Sequence, residues 1–141
     1  MAVILGIDYG VKRIGIAVSD ADERIALAGR TLNASGQLRR DAQAVAAAAR
    51  DYGAARIIVG LPINMDNTEG PQAAITRAFA NHLKRACNIV VELWDERLTS
   101  AAADWAMDQM DLTTAKRKAR RDIISAQLIL QGWLDAKRHK P

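Results

Sequence analysis

Two short apolar runs that each lead into carboxylates constrain the fold of this chain most strongly. Residues 2–8 read AVILGID, and residues 89–95 read IVVELWD with Glu96 directly after them. Runs of this length that are rich in Val, Ile and Leu are typical of strands buried within a sheet. A carboxylate at the end of such a strand costs free energy unless a cation or hydrogen-bond donors compensate it. The two runs therefore predict a buried sheet that carries acids at one end.

Strand and helix patterns alternate along the rest of the chain. The glycine-containing turn at 9–12 predicts a hairpin, so the first strands should form an antiparallel meander. The later strands are separated by helices, and such crossovers favour parallel pairing. The fold class is therefore α/β, with a mixed five-stranded sheet flanked by helices in a single domain, 1–141. The predicted strands are 2–8, 13–19, 24–32, 56–61 and 89–95, and the predicted helices are 36–52, 71–85, 99–110 and 122–137.

The composition is typical of a soluble protein. The chain has 141 residues, half of them apolar, which is enough for one sizeable core. It lacks the run of about 18 to 20 apolar residues that a membrane span needs, and its N-terminus lacks signal-peptide features. We expect a cytoplasmic protein with no membrane partner. The single cysteine, Cys87, should be a small buried residue near a helix end, and His82 and His139 should lie at the surface.

Positive charge is concentrated near the C-terminus. Residues 112–141 contain 8 Lys or Arg against 2 Asp or Glu, whereas residues 1–111 contain 12 against 14. Such a run attracts phosphates without regard to sequence, although a run that stands alone is more often solvated surface. Its densest part is Lys116, Arg117, Lys118, Arg120 and Arg121.

Each candidate acid also has a structural interpretation. Asp8 can bind a metal ion or accept a turn hydrogen bond from the backbone of Gly10. Asp95 and Glu96 are strand neighbours, so only one of them should face the same site as Asp8. Asp122 heads an apolar helix face, where it can point toward the sheet or complement the helix dipole.

Three carboxylates at the ends of apolar elements can converge on one point. Asp8, Glu96 and Asp122, with Asp95 possible as a further ligand, would offer hard oxygen ligands suited to Mg²⁺ or Mn²⁺. A site of this kind can promote phosphodiester displacement. The basic run then acquires a role as a loop that holds a phosphate backbone beside the metal. Lys12, Arg13 and Arg97 lie where they can meet a phosphate, although solvation or ion pairs explain them nearly as well.

Four segments of the chain resemble conserved blocks of a known family. In order they are GIDYGVKRIGIAVSD, GLPINMDNTEG, DERLTS and DIISAQLILQGWL, and together they span roughly residues 3–134. They resemble the YqgF family, also described as RuvX-type Holliday junction resolvases. The resemblance implies a ribonuclease H-like fold, metal-dependent phosphodiester hydrolysis and a role in maturing the 5′ end of pre-16S rRNA. It matches Asp8, Glu96 and Asp122 to the acids of the family.

Two positions depart from the family pattern, and other functions stay open. Asn67 stands where the family usually has glycine, and Ser100 where threonine is frequent, which puts loop geometry in doubt. A resolvase of four-way DNA junctions would need a dimer to cut two strands, so the chain is expected to be a monomer or a homodimer. An RNA-binding assembly factor without catalysis is an alternative of another class. An actin-like phosphotransferase is discounted, because 141 residues hold only one of its two domains.

Overall fold

A computed structural model describes residues 3–97 and 114–138, including side chains of 3–97 and 120–137. The predicted helix at 99–110, Ser100 and His139 lie outside the described residues. The elements, in chain order, are β1 Val3–Tyr9, β2 Arg13–Ser19, β3 Ala26–Asn33, α1 Leu38–Tyr52, β4 Ala54–Leu61, α2 Pro71–Ala86, β5 Val90–Asp95 and α3 Thr114–Arg138.

The strands form one mixed sheet with the order β3-β2-β1-β4-β5. β1 pairs antiparallel with β2, and β2 pairs antiparallel with β3. β1 pairs parallel with β4, which pairs parallel with β5. The predicted five-stranded sheet and its division into a meander and a parallel part are confirmed. The parallel order brings the carboxyl ends of β1, β4 and β5 to the same edge.

Helices cover both faces of the sheet. Helices α1 and α2 pack on one face, where Leu5 and Ile7 of β1 join a core that contains Val45 and Phe79. Helix α3 packs on the other face, where Ile4 joins the second core with the group Ala126, Ile129, Leu130, Trp133 and Leu134. Because side chains alternate along a strand, the even-numbered residues of β1 face α3. Asp8 shares this parity.

The last helix begins earlier than the sequence predicted. It starts at Thr114, two turns before the predicted start at Asp122. The prediction treated Asp122 as a first-turn residue, but Lys, Arg and Ala favour helix interiors, so the chain before it continues the helix. The prediction of a basic loop was therefore wrong for 116–121. These residues lie on α3 itself.

Three glycines allow α3 to lie close against the sheet. A Cβ at Gly6 would lie 2.6 Å from the Cβ of Leu130, a Cβ at Gly15 would overlap the carbonyl group of Asp122, and one at Gly60 would overlap Ile129. Glycine inside a strand often marks such a close approach. We call Gly6, Gly15 and Gly60 the glycine seat. It fixes the height of α3 above the sheet.

The other element predictions need small adjustments. β3 begins at Ala26, two residues after the predicted start at 24, and ends at Asn33, one residue after the predicted end at 32. Cys87 is half-buried at the C-terminal end of α2, where its thiol contacts the carbonyl oxygen of Leu83 at 3.2 Å. In the part of the chain that the structure describes, helices are too short or too polar to cross a membrane.

Candidate active site

Asp8 lies at the carboxyl end of the central strand, opposite Gly15 of β2. Its side chain faces α3 and is half-buried. Burial, together with the neighbouring Asp122 carboxylate, raises the pKa of Asp8 to about 6, although the positive charge of Arg121 opposes this rise. A carboxylate in this position is poorly compensated by the protein, which is the condition that favours a bound cation.

Glu96 approaches Asp8 from the end of β5. Its backbone N–H donates to the carbonyl oxygen of Leu61 at 3.2 Å, and its side chain lies over Gly60. Burial and the negative charge of Asp8, with a smaller contribution from Asp95, raise the pKa of Glu96 to about 7. Glu96 is therefore the member of the acidic pair that faces α3 and Asp8.

Asp95 is directed elsewhere. Its exposed carboxylate accepts hydrogen bonds from the backbone N–H of Arg97 at 2.9 Å and from its Nε at 2.8 Å. The hydrogen bonds from Arg97 hold the pKa of Asp95 below its usual range. Asp95 therefore forms an ion pair with Arg97, one of the alternatives that the sequence left open. The structure does not bring the Asp95 carboxylate to Asp8.

Asp122 lies on α3 above the glycine seat. Its carboxylate accepts a hydrogen bond from Arg13 Nε at 2.7 Å, and both side chains are partly buried. Arg13 has the same parity in β2 as Gly15, so it projects on the α3 face. Three separate elements therefore bring Asp8, Glu96 and Asp122 to one face of the sheet.

A cleft of about 460 Å³ opens beside Asp8. Its walls come from the β1–β2 turn and from α3, and they combine two acids with three cationic side chains. The lining residues are Asp8, Gly10, Val11, Lys12, Arg13, Arg121, Asp122 and Ser125. The cleft therefore places acidic and cationic side chains next to each other.

The three acids are of the chemical type that binds a divalent cation, but their side chains are not arranged around a common point in this structure. Among residues 3–97 and 114–138, no group of three or more His, Cys, Asp or Glu is placed closely enough to hold a metal ion. Asp122 is instead bound to Arg13. The half-buried carboxylates of Asp8 and Glu96, which repel each other, are nevertheless ligands of the type that Mg²⁺ and Mn²⁺ prefer.

The predicted phosphate-binding residues have different surroundings. Lys12, Arg13 and Arg121 line the cleft, whereas Arg97 contacts Asp95 and the side-chain oxygen of Asn67. Arg120 is exposed on α3, and Lys116, Arg117 and Lys118 lie on its first turns, with side chains outside the described part.

Asn67 explains one departure from the family pattern. Its φ of 71° is left-handed, a conformation that glycine adopts without strain and that asparagine tolerates better than most residues. The Asn67 side chain also accepts a hydrogen bond from Arg97. The loop geometry that glycine would provide is therefore retained here.

Sequence reasoning missed Ser125 and the glycine seat. Ser125 is buried and lines the cleft one helical turn after Asp122. Gly6 precedes Asp8 by two residues and Gly15 follows Arg13 by two, so both share the parity of a site residue. Glycine at that spacing within an apolar strand was the signal that could have revealed the seat.

Comparison with known proteins identifies the family of the chain. The RuvX family model, described as "Holliday junction resolvase", matches residues 2–136. A protein from Chloroflexus aurantiacus named "Putative pre-16S rRNA nuclease" is 45% identical over 99% of this chain and 90% of its own length. One of the same name from Myxococcus xanthus is 42% identical over 97% of this chain and 89% of its own.

Solved structures share the fold at low sequence identity. RuvC of Thermus thermophilus in complex with a Holliday junction substrate has a TM-score of 0.57 and 16% identity, and the match covers 99% of this chain and 97% of RuvC. The large terminase nuclease of phage G20c has a TM-score of 0.55 and 14% identity, with 92% and 80% covered.

The sheet order and the likeness to these two structures give the chain a ribonuclease H-like fold, as the family resemblance implied. Within that class, the chain belongs to the RuvX family. The predictions of the family, the fold class and a phosphodiester-hydrolysing enzyme are confirmed.

Proposed function

We propose that this nuclease acts on RNA in the maturation of the 5′ end of pre-16S rRNA, with Asp8, Glu96 and Asp122 as its catalytic carboxylates. The observation that carries the proposal is the position of these acids. They come from β1, the end of β5 and α3, yet all three lie on one face of the sheet. Asp8 and Asp122 line a cationic cleft there, and the negative charge of Asp8 helps to raise the pKa of Glu96. The names of the relatives supply the RNA substrate.

The proposed cofactor is Mg²⁺ or Mn²⁺, held by the same three carboxylates. When bound, such an ion would lower the pKa of a water molecule and stabilise negative charge on phosphate oxygens. Asp8 and Glu96 contribute half-buried carboxylates, whose pKa values are raised by burial and by neighbouring negative charge. Asp122 contributes its carboxylate once Arg13 releases it.

The cationic residues of the cleft would bind and orient the substrate. Lys12 is exposed at the β1–β2 turn, and Arg121 lies near Asp8. A guanidinium binds two phosphate oxygens in a fixed geometry, so Arg13 and Arg121 can hold a phosphodiester against the carboxylates. The basic residues 116–118 directly precede this part of α3 in the same helix and are included in the proposal as phosphate-binding residues.

The proposal includes a cytoplasmic location, where precursor rRNA would be processed, and a monomer or homodimer. A four-way DNA junction is the competing substrate, since the family model carries the description of a junction resolvase. Cutting such a junction symmetrically would require two sites in a dimer.

Cleavage of labelled substrates tests the proposal. The substrates are a 5′-extended 16S rRNA precursor fragment and a synthetic four-way junction, each with Mg²⁺ or Mn²⁺. Asp8→Asn and Glu96→Gln should each reduce RNA cleavage at least about 100-fold, since each removes a charge from the reacting centre. Asp95→Asn is the matched control, because this neighbouring acid is bound to Arg97 and should retain activity.

The outcomes separate the alternatives. Metal-dependent cutting of the RNA that Asp8→Asn and Glu96→Gln abolish supports the proposal. Preference for the junction would replace RNA with branched DNA as the substrate. If neither substrate is cut while the wild type binds RNA, the protein is an assembly factor without catalysis.

A further inference from the structure

A second cationic surface lies on the face of the sheet opposite to α3. A cleft of about 400 Å³ between α1 and α2 is lined by Arg39, Gln43, His82, Arg85 and Ala86. A neighbouring cleft of about 300 Å³ shares Arg85 and Ala86 and adds Arg50. Because Arg85 belongs to both, the clefts form one continuous strip, which we call the α1–α2 strip.

The arginines of the strip differ from most others in the described structure. Arg13, Arg30, Arg56, Arg77 and Arg97 each form an ion pair with an acid. No such pair is found within the described residues for the arginines of the strip, which are Arg39, Arg50 and Arg85. The described residues that line the two clefts include no carboxylate.

The sequence of the two helices keeps acids away from the strip. Helix α2 contains neither Asp nor Glu, and α1 contains only Asp41 and Asp51. Asp41 is buried and accepts a hydrogen bond from the Tyr9 hydroxyl at 2.7 Å, and Asp51 pairs with Arg30. The positive charge of the strip is therefore left for an external anion.

We propose that the α1–α2 strip binds the phosphate backbone of a nucleic acid. Guanidinium groups match phosphate oxygens in shape and charge. The charges are spread along two joined clefts, which fits a chain of phosphates better than a single anion. The described lining offers no Phe, Tyr or Trp on which a base could stack, so the strip would contact the phosphates and not the base faces.

The strip would bind a part of the substrate away from the cleaved bond. In this respect it rests on the proposed function, because the candidate active site lies across the sheet. The helices give it a rigid base, since the buried contact between Tyr9 and Asp41 ties α1 to β1. A long RNA would then contact both faces of the protein.

Binding of RNA without metal tests the strip separately from catalysis. Fluorescence anisotropy with a labelled 30-nucleotide single-stranded RNA in EDTA, over a series of salt concentrations, gives the affinity and its salt dependence. Arg85→Gln and the double variant Arg39→Gln/Arg85→Gln remove charge from the strip. Arg24→Gln is the matched control, because this exposed arginine lies at the β2–β3 turn, outside both clefts.

Arg85→Gln should weaken binding several-fold and reduce the slope of log affinity against log salt by about 0.7, and the double variant by about 1.4. Arg24→Gln should match the wild type. Equal affinity and slope for the double variant and the control would overturn the proposal, as would no RNA binding by the wild type. If the double variant no longer binds phosphatidylglycerol vesicles that the wild type binds, but keeps the wild-type affinity for RNA, the strip would be assigned to a lipid surface instead. A failure to cleave RNA would leave this result intact.

Discussion

Replacement of Asp8 by asparagine should stabilise the metal-free protein at neutral and higher pH. The rise of the Asp8 pKa from 3.8 to about 6 means that the folded protein holds the ionised form at a cost. At about 1.4 kcal/mol for each tenfold change in acidity, that cost is about 3 kcal/mol above pH 7. Water at the cleft mouth screens part of it, so we expect a gain of about 2 kcal/mol in the free energy of unfolding.

The pH dependence gives the sign of the effect. A carboxyl with a higher pKa in the folded state binds more protons when folded, so the contribution of Asp8 to stability falls as pH rises from about 4 to about 6. Asp8→Asn should therefore equal the wild type near pH 4 and exceed it at pH 8. Urea unfolding in EDTA, followed by tryptophan fluorescence, measures the free energy of unfolding of the wild type and of Asp8→Asn at each pH. Added Mg²⁺ should stabilise the wild type more than the variant, because a ligand stabilises the state that binds it.

Asp41→Asn is the control for a buried acid that has hydrogen-bond partners. Asp41 accepts from the Tyr9 hydroxyl and from the Ser35 N–H at 2.8 Å, so its replacement should destabilise the protein by about 1 to 3 kcal/mol. In the structure the Gly10 N–H donates to the carbonyl oxygen of Arg13 at 2.9 Å, so the turn hydrogen bond to Asp8 that the sequence allowed is not formed. Destabilisation of Asp8→Asn at pH 8, like that of Asp41→Asn, would mean that the ionised Asp8 carboxylate stabilises the fold. The argument for a poorly compensated carboxylate would then be refuted.

Two further predictions concern glycine and left-handed positions. Gly15→Ala should lower the free energy of unfolding by about 1 to 3 kcal/mol, because the added methyl group overlaps the backbone of α3. Gly70→Ala is its control, where the nearest atom lies 3.6 Å away, and equal urea midpoints would contradict the seat. Asn67→Ala should cost about 1 kcal/mol from the φ of 71° and the lost Arg97 hydrogen bond, whereas Asn67→Gly should be milder. Thermal unfolding of both variants would check this order.

Strand patterns allowed the sheet to be predicted, because alternation and apolar runs report burial directly. The start of α3 could not be found in the same way. The sequence TAKRKARR before Asp122 has helix propensity, but its charge is equally typical of a loop, and the position of a helix start depends on tertiary packing. Acids favour the first turns of helices, which indicates a start at Asp122, but Asp122 lies in the helix interior.

The site was partly predictable. Because successive side chains of a strand point to opposite faces, only one of Asp95 and Glu96 can face Asp8, but the sequence does not indicate which one. The structure shows Glu96 over Gly60 and Asp95 bound to Arg97. The contact between Arg13 and Asp122 joins residues 109 positions apart in the chain, so no local pattern encodes it.

The glycine seat connects the stability of the fold to the geometry of the site. Valine or isoleucine would suit strand centres better, since they favour strands and bury more apolar area. At Gly15, any side chain would lift α3 and move Asp122 away from the sheet, and at Gly60 it would displace Glu96. The chain thus places conformationally costly residues at the points where α3 and Glu96 must lie close to β2 and β4. Glycine at these positions is therefore favoured both by the close packing of α3 on the sheet and by the geometry of the proposed site.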